Sequence, residues 1–145
     1  MKIIFLDCDG VLNSMECGFG VPQDDKIQKL SKIVDATDAK IILSSSWRYA
    51  ERYEDSQGVK MLYNSLVNHL KEFGIFIYDS TPILGTQRGL EIDAWLKSSK
   101  ENIEAFVILD DDDDMEPHLD HLVKTDYRYG LSDENVKKAI QILEQ

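Results

Sequence analysis

Four short apolar runs punctuate the chain, at Ile3–Leu6, Ile41–Leu43, Ile75–Tyr78 and Phe106–Leu109. Each has the length of a strand, is rich in β-branched or aromatic residues and lacks the polar alternation of a half-solvated strand. That pattern predicts strands buried on both faces. A weaker fifth run covers Leu122–Thr125. Between the runs the apolar spacing becomes helical. It picks out Ile27, Leu30, Ile33 and Val34, then Leu62, Leu66 and Leu70, then Ile92, Trp95 and Leu96, and last Val136, Ala139, Ile140 and Leu143. Ser132 stands where an N-cap of the last helix belongs, and Asp133 and Glu134 suit its first turn.

Strands alternating with helices predict an α/β fold, a Rossmann-like three-layer α/β/α sandwich around a mostly parallel sheet. No linker, repeat or shift in composition divides the chain, so one domain over residues 1–145 is expected, and that length can bury a core. In such folds the ligand crevice opens beyond the carboxyl ends of the strands. The residues to inspect are therefore those directly after each run.

After the first run comes Asp7-Cys8-Asp9-Gly10-Val11-Leu12-Asn13. Residues two apart in extended chain point the same way, so Asp7 and Asp9 can face one small volume. Two such carboxylates repel each other unless a proton or cation intervenes, and magnesium takes hard oxygen ligands and brings phosphate oxygens with it. Gly10 lets the chain turn sharply. Taken alone, the pair also fits a strand-end turn with solvated acids. After the second run comes Ser44-Ser45-Ser46-Trp47-Arg48. Hydroxyls at a strand end before a helix start suit phosphate oxygens, and equally suit a plain N-cap. Arg88, before the third helix, offers a fixed positive charge to phosphate or is a solvated surface residue. After the fourth run comes Asp110-Asp111-Asp112-Asp113-Asp114. As a calcium loop started at Asp110, this segment puts Met115 where Gly is needed and His121 where Glu is needed, so that reading fails. Asp110 and Asp111 are instead expected to complete the cation site begun by Asp7 and Asp9, with the later acids left at the surface. Acids, hydroxyls, a cation and acids again follow successive elements, and that order carries more than any one piece.

The formal net charge of -11 argues against a broad basic face for duplex nucleic acid, though not against a local groove. No apolar stretch is long enough to span a bilayer, and the N-terminus lacks the form of a signal peptide. The two cysteines, Cys8 and Cys17, have no metal-ligand spacing, so a reduced, cytoplasmic setting is the expectation. The Cys8 side chain is expected in the sheet packing. His118 and His121 are expected on an exposed helix start rather than on a metal, and Trp47 and Trp95 are expected to pack. Tyr127-Arg128-Tyr129 is a small aromatic-basic cluster, read as a surface loop with a nucleic-acid role as the alternative.

These residues resemble the haloacid dehalogenase (HAD) superfamily. Asp7-Cys8-Asp9-Gly10-Val11 is similar to its first motif, Ser44 to its second, and Asp110-Asp111 to the paired-acid form of its fourth. The third motif normally carries Lys. Arg88 is the best-placed candidate here, with Lys97 and Lys100 as fallbacks. The resemblance runs from Lys2 to about Leu143. Within it, the segments Ile42 to Arg48, Glu91 to Leu96, Leu109 to Asp111 and Gly130 to Ser132 resemble the branch associated with Swiss Army Knife RNA-repair proteins. The resemblance implies a magnesium-dependent phosphomonoesterase. Asp7 would attack phosphorus to give an aspartyl-phosphate, and Asp9 would serve as acid and then base. The metal would sit on Asp7, the backbone carbonyl of Asp9, and Asp110, with Asp111 as a further ligand. Ser44, Ser45 and Arg88 would bind the phosphoryl group. Only Leu12–Lys26 is placed to cover the site, so a minimal cap is expected. The implied partner is a phosphorylated substrate, with nucleotides and RNA or DNA ends as candidates. The alternatives are a phosphatase for a small metabolite or phosphoprotein, and a catalytically weak binding or regulatory module.

Overall fold

The computed structural model describes residues 1–51 and 57–145. The apolar runs become five strands: β1 (Lys2–Leu6), β2 (Lys40–Leu43), β3 (Ile77–Ser80), β4 (Ala105–Asp110) and β5 (Leu122–Lys124). All pair in parallel, in the order β3-β2-β1-β4-β5. The helices are α1 (Asp24–Thr37), α2 (Gln57–Glu72), α3 (Arg88–Ser98) and α4 (Asp133–Leu143).

Alternate residues of β1 face opposite ways and fill two cores. Ile4 and Leu6 pack with Ile27, Leu30 and Ile33 of α1, Leu66 and Leu70 of α2, and Val136, Ala139 and Leu143 of α4. Ile3 and Phe5 pack with Ile92 and Trp95 of α3 and with Met115. Among the described residues, three α-helices thus cover one face, and α3 is the α-helix of the other. The rings of Phe5 and Trp95 meet edge to face at 5.6 Å. Ser132 caps α4 as expected: its hydroxyl accepts the Asn135 N–H, and the Asn135 side chain accepts the Ser132 N–H.

One strand departs from expectation. The run Ile75–Tyr78 predicts a strand buried on both faces, but β3 begins at Ile77 and forms the sheet edge, with Phe76 and Tyr78 exposed. Gly74 takes a positive φ of 72° just past α2, and the Ile75 N–H donates to the Leu70 carbonyl. Ile75 therefore belongs to the end of the helix, where its buried side chain closes the turn.

Register levels the carboxyl ends of the central strands. Leu6 pairs with Leu43 on one side and with Leu109 on the other. The ladder continues one step, with Asp7 N–H to Leu109 carbonyl and Ser44 N–H to Leu6 carbonyl, each at 3.0 Å. Asp7, Ser44 and Asp110 consequently emerge side by side. β1 and β4 flank the point where the strand order reverses, the usual place for a crevice in such sheets. From the first loop only a short segment is available to cover it, closed by an antiparallel bridge between Ser14 and Gly18.

Candidate active site

Asp7 and Asp110 are almost wholly buried, at 6% and 0% exposure. Arg88, the first residue of α3, spans them: its Nη1 lies 3.1 Å from Asp7 Oδ1 and 2.9 Å from Asp110 Oδ2. Burial disfavours the Arg88 cation, but the Asp7 and Asp110 carboxylates outweigh it and hold the guanidinium above its ordinary value. Asp7, Asp110 and Asp111 each offer an oxygen, and the three lie within 4.8 Å of one another. Burial, and then the charge of Asp110, push the Asp7 carboxyl well above the usual range. Burial likewise pushes Asp110 up to about 6, against the lowering effect of Arg88. One arginine thus leaves the negative charge only partly compensated. A set of hard oxygens short of positive charge fits a divalent cation.

The chain is shaped around this group. Gly10 sits at φ 85°, and a Cβ there would overlap the Asp111 carboxylate. The Asp9 carboxylate lies outside the three-acid group. Asn13 Nδ2 donates to one of its oxygens at 2.8 Å and Trp47 Nε1 to the other at 3.2 Å. Asn13 Oδ1 in turn accepts the Gly10 N–H. Trp47 packs as predicted, yet it also orients Asp9, a role that nothing in its sequence setting announced. Cys8 lies in the core beneath, where burial raises its thiol pKa and keeps it protonated.

The second loop separates the serines. The Ser44 hydroxyl is fully buried and has no hydrogen-bond partner among the described residues. A buried orphan hydroxyl at a strand end is costly without a ligand. The Ser45 hydroxyl instead accepts the Trp47 N–H at 3.1 Å, at the start of the 3-10 turn Ser46–Glu51.

Arg48, to which the sequence assigned no role, is the largest fully buried side chain among the described residues. Its guanidinium donates to the carbonyls of Ser44, Ser45, Thr81 and Pro82 and pairs with Glu91 Oε1 at 2.8 Å. Glu91 lies one turn after Arg88 on α3, and its other oxygen accepts the Leu84 N–H. Arg48 therefore ties the Ser44 loop to the helix that carries Arg88. An arginine beside a strand end and a glutamate far along the chain give no local signal of such a pair.

Asp114 corrects the expectation that the later acids lie idle at the surface. Its Oδ2 accepts the Arg88 N–H and its carbonyl accepts the Gly89 N–H, so it caps α3. A side chain at Gly89 would overlap the backbone of Met115 and Glu116. His118 and His121 do stand at a short helix start, with His118 as the N-cap of the 3-10 turn Leu119–His121, but neither is fully exposed there. His118 Nε2 lies 3.0 Å from Asp93 Oδ1, and the His121 ring stacks on Phe106 at 3.8 Å. Both are half-buried packing residues. Lys97, a fallback for the third motif, pairs with Asp93 on the surface.

A 3-2-1-4-5 parallel sheet with acids after β1 and β4, an orphan hydroxyl after β2 and an arginine at the start of α3 defines the three-layer α/β class of HAD-type proteins. The chain belongs to a particular family of that class: the model described as the HAD domain in Swiss Army Knife RNA repair proteins matches residues 3–136. No curated protein and no solved structure matches the chain. HAD proteins generally use a divalent metal, and the Asp7, Asp110 and Asp111 cluster has the donors to hold one. Among the described residues, no helix is long and apolar enough to cross a membrane.

Proposed function

We propose that the chain hydrolyses phosphomonoesters with magnesium, through an aspartyl-phosphate on Asp7. The observation that carries this reading is the convergence of Asp7, Asp110 and Arg88 beside the buried, unpartnered hydroxyl of Ser44. Asp7, Asp110, Asp111 and the Asp9 carbonyl would hold the cation. The cation would supply charge neutralisation and alignment of the phosphoryl group. Asp7 Oδ attacks phosphorus as the ester P–O bond breaks, and Asp9 gives a proton to the leaving oxygen. Asp9 then takes a proton from water, which attacks phosphorus, breaks the acyl-phosphate bond and restores Asp7. Asn13 and Trp47 each donate to one Asp9 oxygen and so hold the carboxyl group in place, with a further lone pair on each oxygen for the proton in transit. Ser44 and Arg88 hold equatorial oxygens, while Ser45 shapes the turn. Nucleotides and the phosphate ends of nucleic acids are the favoured substrates, as the family's association with RNA repair supports.

The test is hydrolysis of an aryl phosphate with magnesium, with a chelator, and by Asp7→Asn. The expected outcome is turnover that needs both magnesium and Asp7. Turnover that survives Asp7→Asn would overturn the nucleophile assignment. A folded, inert chain that still binds phosphate would favour the binding module instead.

A further inference from the structure

A groove of about 490 Å³ opens beside the acid cluster, lined by Asp111, Lys124, Thr125, Asp126, Tyr127 and Arg128. It shares Asp111 with the group that would hold the cation, so it adjoins the phosphoryl position. The loop forming its wall is built onto the first loop of the site. The Thr125 hydroxyl donates to the Gly10 carbonyl at 2.7 Å, and the Leu131 N–H donates to the Val11 carbonyl. The Met15 and Glu16 N–H groups donate to the carbonyls of Tyr127 and Arg128. The Tyr127 backbone is thus tied to the first loop, and its side chain, 49% exposed, lines the groove together with Asp111.

The charges of this wall select among ligands. Arg128 is committed to Asp126, with contacts of 3.0 and 2.7 Å, and lies over the Tyr129 ring. Asp111 and Asp126 line the groove, and the Lys124 ammonium lies 3.9 Å from Asp113. A chain of phosphodiesters laid here would meet carboxylates without a surplus of free cations. One uncharged planar ring avoids that repulsion and can stack on Tyr127. Lys124 and the carboxylate rim offer hydrogen bonds to a heterocycle edge and to ribose hydroxyls, which a bare phenyl ring cannot use.

Resting on the hydrolase reading above, we infer that this groove is the leaving-group subsite and takes the nucleoside of a nucleoside monophosphate, with Tyr127 as its stacking platform. The test compares kcat/KM for adenosine 5′-monophosphate, glycerol 3-phosphate and phenyl phosphate in the full chain, in Tyr127→Ala and in Tyr127→Phe. The nucleotide is expected to lead. Tyr127→Ala should cut the ratio of nucleotide to glycerol phosphate by about tenfold, as loss of a base stack does, and Tyr127→Phe should keep it. An unchanged ratio in Tyr127→Ala, or phenyl phosphate matching the nucleotide, would overturn the inference. Calorimetric binding of the same nucleotide with magnesium, to Asp7→Asn or to the wild-type chain if it is inert, separates the two readings. Binding weakened by Tyr127→Ala without any turnover sinks the hydrolase and keeps the subsite. Absence of nucleotide binding sinks the subsite.

Discussion

At Asp110, burial and the need for charge oppose each other. Its carboxyl is pushed up to about 6, above the ordinary 3.8. Such a group holds its proton more tightly folded than unfolded, so ionising it costs stability. In the metal-free protein, that cost is full above about pH 6 and is relieved as pH falls toward 4. A cation needs the ionised form and competes with the proton. Magnesium affinity should therefore fall on acidification through pH 6, by about tenfold per pH unit for one displaced proton. Calorimetric titrations at pH 7.5 and pH 5 would check it, and equal affinities would show that no proton is displaced. Asp7, Asp110 and Asp111 were legible because each directly follows an apolar run or its first acid. Asn13 and Trp47 were not legible as the donors to Asp9, because hydrogen bonds across loops leave no periodic trace.

The first turn of α3 shows how elements rather than residues set the site. Arg88 is placed by the Asp114 cap on one side and by the Arg48–Glu91 pair on the other. Both members of that pair are buried, with side-chain exposures of 1% and 6%. Removing one charge from such a pair strands the other, at a typical cost of about 3–5 kcal/mol. Glu91→Gln is expected to cost about that much in urea unfolding followed by tryptophan fluorescence. Arg48→Ala is expected to cost more, because four carbonyls lose their donor as well. A smaller loss for Arg48→Ala than for Glu91→Gln would contradict the clamp. The elements themselves were legible wherever the periodic signal was long, as in α1 and α4. They were misplaced where a run crossed a turn, as at Ile75. Apolar content alone cannot tell a strand residue from one that closes the end of a helix.

For the whole molecule, the net charge of -11 bears on function more than on fold. On the phosphomonoesterase reading, a dianionic substrate would approach against that field, which monovalent salt screens. With magnesium held saturating, kcat/KM for a phosphate monoester should rise as potassium chloride increases from low to physiological ionic strength. Steady-state kinetics at two salt levels would show it, and a fall instead would mean that a local positive field governs encounter. The layer architecture could be read from alternation of strand and helix. The strand order and the division of helices, three on one face and one on the other, could not. They depend on which crossover passes which face, and local spacing does not record that.

The placement of β1 between β2 and β4 has a consequence for how the protein is made. Lys2 pairs with Ala105, and Leu6 with Leu109. A growing chain emerges at about 5–20 residues per second. Asp7 therefore leaves the ribosome long before Asp110 exists to stand beside it. Pairings so distant in sequence are slow to close. Until β4 has emerged the two acids are apart, and a chain arrested before Ala105 presents Asp7 and Asp9 without the strand that completes their surroundings. The acid cluster is assembled only by the docking of the fourth strand against the first.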